Sequence, residues 1–170
     1  MKHLYFMRHG LSVMNKQGIF SGNSDTPLAE EGIAQCHEAA KKFKGIKVDA
    51  IICSPLKRAY DSARIVAEDI GFPVDKIIIS DYLVERDFGP LEGSQYTRKH
   101  DLDKIDGVEH STSVIVRAEE AMKLINQLDA DTVFVVGHGS IGRALRHITN
   151  PNLDYSKMTG FNNAEVVKLI

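Results

Sequence analysis

Two periodicities alternate along the chain. Residues 2–7, 49–53, 76–79 and 132–136 are short apolar, strand-like runs, the last almost wholly β-branched or aromatic. Between them apolar residues recur at helical spacing. Ile33, Cys36, Ala40 and Phe43 form one face; Ala59, Ala63, Val66 and Ile70 a second; Ile115, Ala118, Met122 and Ile125 a third; Ile141, Leu145 and Ile148 a fourth. Gly45, Gly71 and Pro73 are stop signals, Ser111 to Ser113 offer a cap, and residues 165–170 can add a closing strand. Strands alternating with helices predict an α/β three-layer sandwich with a mostly parallel central sheet flanked by helices. No repeat, low-complexity tract or linker interrupts the pattern, so residues 1–170 read as a single domain. Residues 81–110 are the exception. They hold Gly89, Pro90, Gly93 and Gly107 without clear periodicity, and an irregular stretch of that length is a candidate functional segment.

Composition excludes several classes. The net charge of −2, from 23 acids and 21 bases with no run of like charge, lacks the electrostatic footprint of a nucleic-acid partner. No apolar stretch nears the roughly 18 residues of a membrane span, and the apolar block at residues 4–7 is too short for a signal h-region. Cys36 and Cys53 are the only cysteines, which speaks against a disulfide framework or a cysteine zinc site. The expectation is a cytoplasmic globular protein without a membrane or nucleic-acid partner; the sequence leaves its oligomeric state open.

Parallel α/β sheets carry their chemistry beyond the carboxyl ends of the strands. Arg8-His9-Gly10 follows the first strand, Ser54-Pro55 and Arg58 the second, and Gly137-His138-Gly139 the run at 132–136. Two histidines and two arginines thus converge on one predicted sheet edge. Guanidinium groups match phosphate oxygens, and a neutral imidazole can attack phosphorus. Arg58 falls in the first turn of its helix, with Ser54 as expected N-cap and Pro55 at the first helical position. A cation there opposes the helix dipole by about 0.3–1 kcal/mol, which makes sense if an anion binds at the same terminus. A glycine after each histidine would let backbone approach a ligand closely. Taken singly, a histidine at a strand end is ordinarily a satisfied side chain and an arginine a surface ion-pair partner; the convergence is what carries the reading. Residues 137–142 also fit the dinucleotide fingerprint GxGxxG, but no acidic residue stands at the wanted distance of about 20 residues and little chain remains. The histidines show no metal-ligand spacing, and His100, His110 and His147 are expected to be solvated.

Five blocks in order then resemble the histidine phosphatase superfamily, the phosphoglycerate mutase-like proteins. They are Leu4 to Gly10 with Ser12 and Asn15; Phe20-Ser21-Gly22 with Asp25, Pro27-Leu28 and Gly32; Ser54 to Ala59; Leu83-Val84-Glu85 with Phe88-Gly89 and Leu91-Glu92-Gly93; and Gly137-His138-Gly139. The resemblance implies a metal- and cofactor-free enzyme that hydrolyses phosphate monoesters through a phosphohistidine on His9. It implies that Arg8, Arg58 and His138 grip the phosphoryl oxygens. Glu85 would protonate the leaving oxygen and then help activate water. Asn15, Ser21, Gly22 and Gly139 would complete the substrate contacts, and the partner would be a small phosphorylated metabolite.

Departures from the family pattern bear on the reaction. Ala29 stands where the family often has a threonine cap, a loss of about 1 kcal/mol, although Glu30 and Glu31 still suit a helix start. The segment between Gly93 and Ser111 is short and offers only Arg98, Lys99 and Lys104, which favours a phosphatase over a phosphoglycerate mutase. Phe20-Ser21-Gly22 resembles the mutase version of its loop and keeps that alternative open. A protein phosphohistidine phosphatase ranks third, because that group generally lacks the Glu85 and Leu91-Glu92-Gly93 block. A catalytically silent phosphate-binding module is the non-enzyme alternative. Sugar phosphates, phosphoglycerates, nucleotides and phosphoproteins all remain candidate substrates.

Overall fold

The computed structural model describes residues 1–97 and 101–170; Arg98, Lys99 and His100, singled out above, lie outside them. Five strands form one sheet in the order β3-β2-β4-β1-β5: β1 is His3–Arg8, β2 Ala50–Cys53, β3 Ile78–Ile79, β4 Thr132–Gly137 and β5 Val166–Lys168. The first four are parallel and β5 runs antiparallel on the β1 edge. The helices are α1 Val13–Lys16, α2 Glu30–Ala40, α3 Lys57–Ile70, α4 Ser111–Asn126 and α5 Gly139–Thr149.

Strand period places alternate residues on opposite faces. Leu4, Phe6, Ile52, Val133 and Val135 pack with α4 and α5. Met7, Ile51, Cys53, Phe134 and Val136 pack with α2 and α3. Every residue of β4 is buried, as expected for a central parallel strand covered on both faces. The three-layer reading thus holds. Among the described residues no helix is long and apolar enough to cross a membrane.

Local details depart from the sequence reading. Ile33 is exposed, because the buried face of α2 is Gly32, Cys36, Ala39 and Ala40. Ala29 does stand at the N-cap of α2 without a side-chain cap. The cap of α4 is His110, whose Nδ1 accepts the Thr112 N–H; Ser111 is already helical. His147, expected to be solvated, is half-buried, and its Nδ1 lies 2.6 Å from the Leu153 carbonyl. Gly10 is required by packing: a Cβ there would sit 2.5 Å from the Gly32 carbonyl oxygen, and one at Gly32 would sit 2.1 Å from the Leu11 carbonyl oxygen. The two glycines let the end of β1 lie directly against α2.

The irregular stretch is built from short 3₁₀ turns, Asp81–Leu83, Gly89–Leu91 and Leu102–Lys104. Arginines pin it. Arg86 is buried and donates to the Glu109 carbonyl (2.7 Å) and the Asp103 carboxylate (2.5 Å). Asp103 in turn accepts from the Ser111 N–H (2.8 Å) and hydroxyl (2.6 Å), tying the segment to the start of α4.

Candidate active site

Because β2, β4 and β1 are parallel neighbours, their carboxyl ends share one edge, and Ser54, His138 and His9 follow directly from them. His9 is buried and its Nδ1 lies 2.7 Å from the Gly10 carbonyl. That oxygen can only accept, so Nδ1 carries the proton and Nε2 keeps its lone pair. The Arg58 Nε–H donates to this Nε2 at 3.3 Å, a long contact. An oxyanion entering the site would compete for that N–H and free the lone pair for attack.

Arg58, in the first turn of α3, is fully buried. Its other nitrogens donate to the Gly22 carbonyl (2.6 Å) and the Ser24 carbonyl (2.8 Å). Three of the five guanidinium N–H groups are thereby used and two remain. The helix start is capped differently from expectation. Helix α3 begins at Lys57, Leu56 occupies the N-cap, and the Asp25 carboxylate accepts the Lys57 N–H at 2.7 Å. Ser54 is drawn away to His138. Arg8, the last residue of β1, donates from one terminal nitrogen to the Phe161 carbonyl (2.7 Å).

His138 precedes α5 and is fully buried, with its ring centroid 5.1 Å from that of His9. Its Nε2 lies 2.8 Å from the Ser54 hydroxyl, which itself accepts the Leu56 N–H. The serine hydrogen has no other acceptor among the described residues, so it donates to Nε2 and the His138 proton sits on Nδ1. Glu85 is buried, at 9% exposed. Its carboxylate accepts the Arg86 N–H (2.8 Å) and the Ser140 N–H in the first turn of α5 (3.0 and 3.2 Å).

Buried polar groups almost always find partners. Among the described residues four buried side-chain atoms do not: Arg8 Nε, Ser21 Oγ, His138 Nδ1 and Tyr155 OH. Three of these belong to residues that the sequence assigns to one site. Two are N–H donors and the third, a hydroxyl, can donate, which is a set complementary to an oxyanion.

Electrostatics agree with that sign. Burial, then the Arg58 and Arg8 cations, hold His9 well below its ordinary value of 6.5. Burial, then Arg58, His9 and Arg8, do the same to His138. Both imidazoles are therefore neutral at physiological pH. The unfolded chain protonates its histidines near pH 6.5, at about the ordinary value, and the folded pair does not. Unfolding then takes up protons below that pH, so the pair lowers stability as pH falls through about 6.5 and adds no slope above it. In a ¹⁵N-edited imidazole titration from about pH 8 to about pH 5.5 both rings are expected to stay neutral with Nδ1 protonated. Protonation of either near pH 6.5 would contradict the burial and charge argument.

Of the other predicted residues, Asn15 caps α1 reciprocally with Ser12. Its Oδ1 accepts from the Ser12 N–H (3.3 Å) and the Asn163 amide (3.2 Å), which orients the amide and leaves its NH₂ free to donate. Ser21 is buried, and Gly22, at φ +48°, turns its carbonyl to Arg58. Gly139 opens α5, and a Cβ there would lie 3.6 Å from the Glu85 carboxylate.

Asn163, Ala164 and Arg117 escaped the sequence reading, and Glu92 entered it only within the Leu91-Glu92-Gly93 block. Asn163 donates to the His9 carbonyl at 3.1 Å, and the Ala164 N–H reaches the Arg8 and His9 carbonyls. Glu92 accepts from the Asn23 N–H (2.9 Å) and the Ser24 hydroxyl (2.8 Å), fixing the loop whose carbonyls hold Arg58. Arg117 on α4 forks onto both Glu109 oxygens (2.9 Å each) and donates to the Val84 carbonyl (3.0 Å), holding the backbone before Glu85. A cleft of about 450 Å³ opens beside Glu85, walled by Val84, Asp87, Val108, Glu109 and Arg117. Of the candidate site residues Glu85 is among its described walls, and Asn23, between the two carbonyls that hold Arg58, lines it too.

A family model described as the histidine phosphatase superfamily, branch 1, matches residues 4–170. The chain belongs to the histidine phosphatase superfamily. Within the superfamily, the uncharacterized phosphatase PhoE of Bacillus subtilis is 31% identical over 143 residues, 82% of this chain and 72% of that one. A 2,3-bisphosphoglycerate-dependent phosphoglycerate mutase of Parvibaculum lavamentivorans is 40% identical over 92 residues, 53% of this chain. The match spans only 44% of that mutase, so this chain covers less than half of such a relative's length. Among solved structures, a mycobacterial glucosyl-3-phosphoglycerate phosphatase complexed with VO3 superposes with a TM-score of 0.84 at 23% identity, covering 99% of this chain and 92% of that one. Bacillus stearothermophilus YhfR gives 0.85 at 24% identity over 99% and 90%. These superpositions bear out the phosphoglycerate mutase-like fold.

Proposed function

We propose that this histidine phosphatase superfamily member is a phosphatase that hydrolyses phosphate monoesters through a phosphohistidine on His9. The observation that carries the reading is a neutral, Nδ1-protonated imidazole packed against Arg58 and His138, with donors of Arg8, Ser21 and His138 left unpartnered. The His9 Nε2 lone pair attacks phosphorus and the bond to the leaving oxygen breaks. Glu85 gives that oxygen a proton. Arg8, Arg58 and His138 Nδ1 donate to the phosphoryl oxygens, where charge accumulates in the transition state. In this reading Asn15, Ser21, Gly22 and Gly139 complete the substrate contacts. Water then attacks phosphorus while Glu85 takes its proton, the bond from phosphorus to Nε2 breaks, and inorganic phosphate and neutral His9 are released. Residues 1–170 act as one catalytic domain, on a small phosphorylated metabolite, in the cytoplasm.

The 40% match to a phosphoglycerate mutase supports a second reading, in which the phosphoryl group returns to another hydroxyl. A time course with 3-phosphoglycerate separates the two: isomer with little free phosphate would favour the mutase. In the phosphatase reading the compensating charge comes from Arg8 and Arg58. Turnover of an aryl phosphate is therefore expected to survive EDTA. Loss of activity that an added metal restores would contradict this mechanism, and no turnover of any ester would favour the silent binding module.

A further inference from the structure

We propose that the substrate is a phosphate monoester whose alcohol half carries no second anionic group: an uncharged polyol or an amino alcohol. The proposal rests on the phosphatase reading and deepens it, because the cleft beside Glu85 is where the alcohol half leaves. Its volume of about 450 Å³ lies in the range of small-ligand pockets and admits an alcohol of several carbons.

The charge of the walls decides the class. The only cation among the described lining residues is Arg117, and its guanidinium is saturated. Nε donates to Glu109; one terminal nitrogen donates to the Tyr82 and Val84 carbonyls; the other donates to the Glu85 carbonyl and to Glu109. That accounts for all five N–H groups. Glu109 is occupied in return, with its second oxygen also accepting the Asp87 N–H at 3.0 Å. Asp87 is different. It is exposed, and its only described side-chain bond is from the Gly89 N–H to Oδ1 (2.7 Å). A carboxylate or second phosphate on the alcohol would find no free cation among the described wall residues, only the neutral amide of Asn23, and would face Asp87. A like charge at about 4 Å in a largely aqueous cleft lowers binding roughly fivefold, and more where the walls exclude water. A hydroxyl meets no such repulsion, and an ammonium group is attracted.

The test compares kcat/KM for an aryl phosphate, glycerol 3-phosphate, O-phosphoethanolamine and 3-phosphoglycerate, the last three being of similar size. At low salt 3-phosphoglycerate is expected to be at least about tenfold poorer than glycerol 3-phosphate, with O-phosphoethanolamine at or above the latter. High salt should narrow the gap, since Asp87 is exposed and screened. Asp87→Asn keeps the acceptor for Gly89 and should narrow it too. Turnover of 3-phosphoglycerate equal to or above that of glycerol 3-phosphate would overturn the proposal while leaving the phosphatase reading intact. So would a gap that neither salt nor Asp87→Asn changes. Failure of every ester, the aryl phosphate included, would overturn both.

Discussion

Replacement of His9 by alanine is expected to lower kcat/KM for a phosphate monoester by on the order of 10⁴-fold or more, the scale seen when a covalent nucleophile is removed. The arginines would still bind the ester, so KM should change far less than kcat. The loss should be chemical rather than structural. The backbone of residue 9 keeps its N–H to the Gly137 carbonyl and its carbonyl to Asn163 and Ala164 whatever the side chain. Circular dichroism and the thermal midpoint of the variant report whether the fold is retained. A variant that keeps more than about a hundredth of the activity would remove His9 from the mechanism.

Arg58→Met is expected to separate activity from stability. The side chain is fully buried and meets only neutral partners, two carbonyls and an imidazole nitrogen. Burying a cation without a paired anion costs several kcal/mol, whereas hydrogen bonds to a charged donor return about 1.5–3 kcal/mol each. The two sums nearly cancel, so an apolar side chain of similar length should leave the thermal midpoint unchanged or raise it. Catalysis should fall by about 10³-fold, because a preorganised donor to the transition-state charge is gone. The same change removes a cation that depresses His9 and His138, so both imidazoles should become easier to protonate and the acid limb of the rate profile should move to higher pH. A marked loss of stability with activity retained would mean that Arg58 is there for the fold.

The legible part of this molecule was the part written in local pattern. Short apolar runs marked the strands, and the residues just beyond three of them included His9, Arg58 and His138. What could not be read depends on contacts across large sequence separations. Asn163 reaches His9 across 154 residues, Glu92 reaches Ser24 across 68, and Arg117 reaches Val84 across 33. No periodicity announces any of them. Ser54 shows how a correct local rule is overridden. Serine directly before a proline at the first helical position is a good cap in isolation, but His138, 84 residues away, takes its hydroxyl. Asp25 then supplies the capping acceptor from a different loop. Gly10 shows the converse, a residue rightly marked as special whose close neighbour is α2.

The most direct measurement is rapid quenching of the enzyme during turnover of a ³²P-labelled monoester at alkaline pH, where phosphohistidine survives, followed by peptide mapping. The account predicts acid-labile, alkali-stable label on the peptide that carries His9, formed within the first turnover and absent from His9→Ala. Label on another residue would contradict it, as would turnover through full cycles with no covalent phosphoenzyme at any quench time.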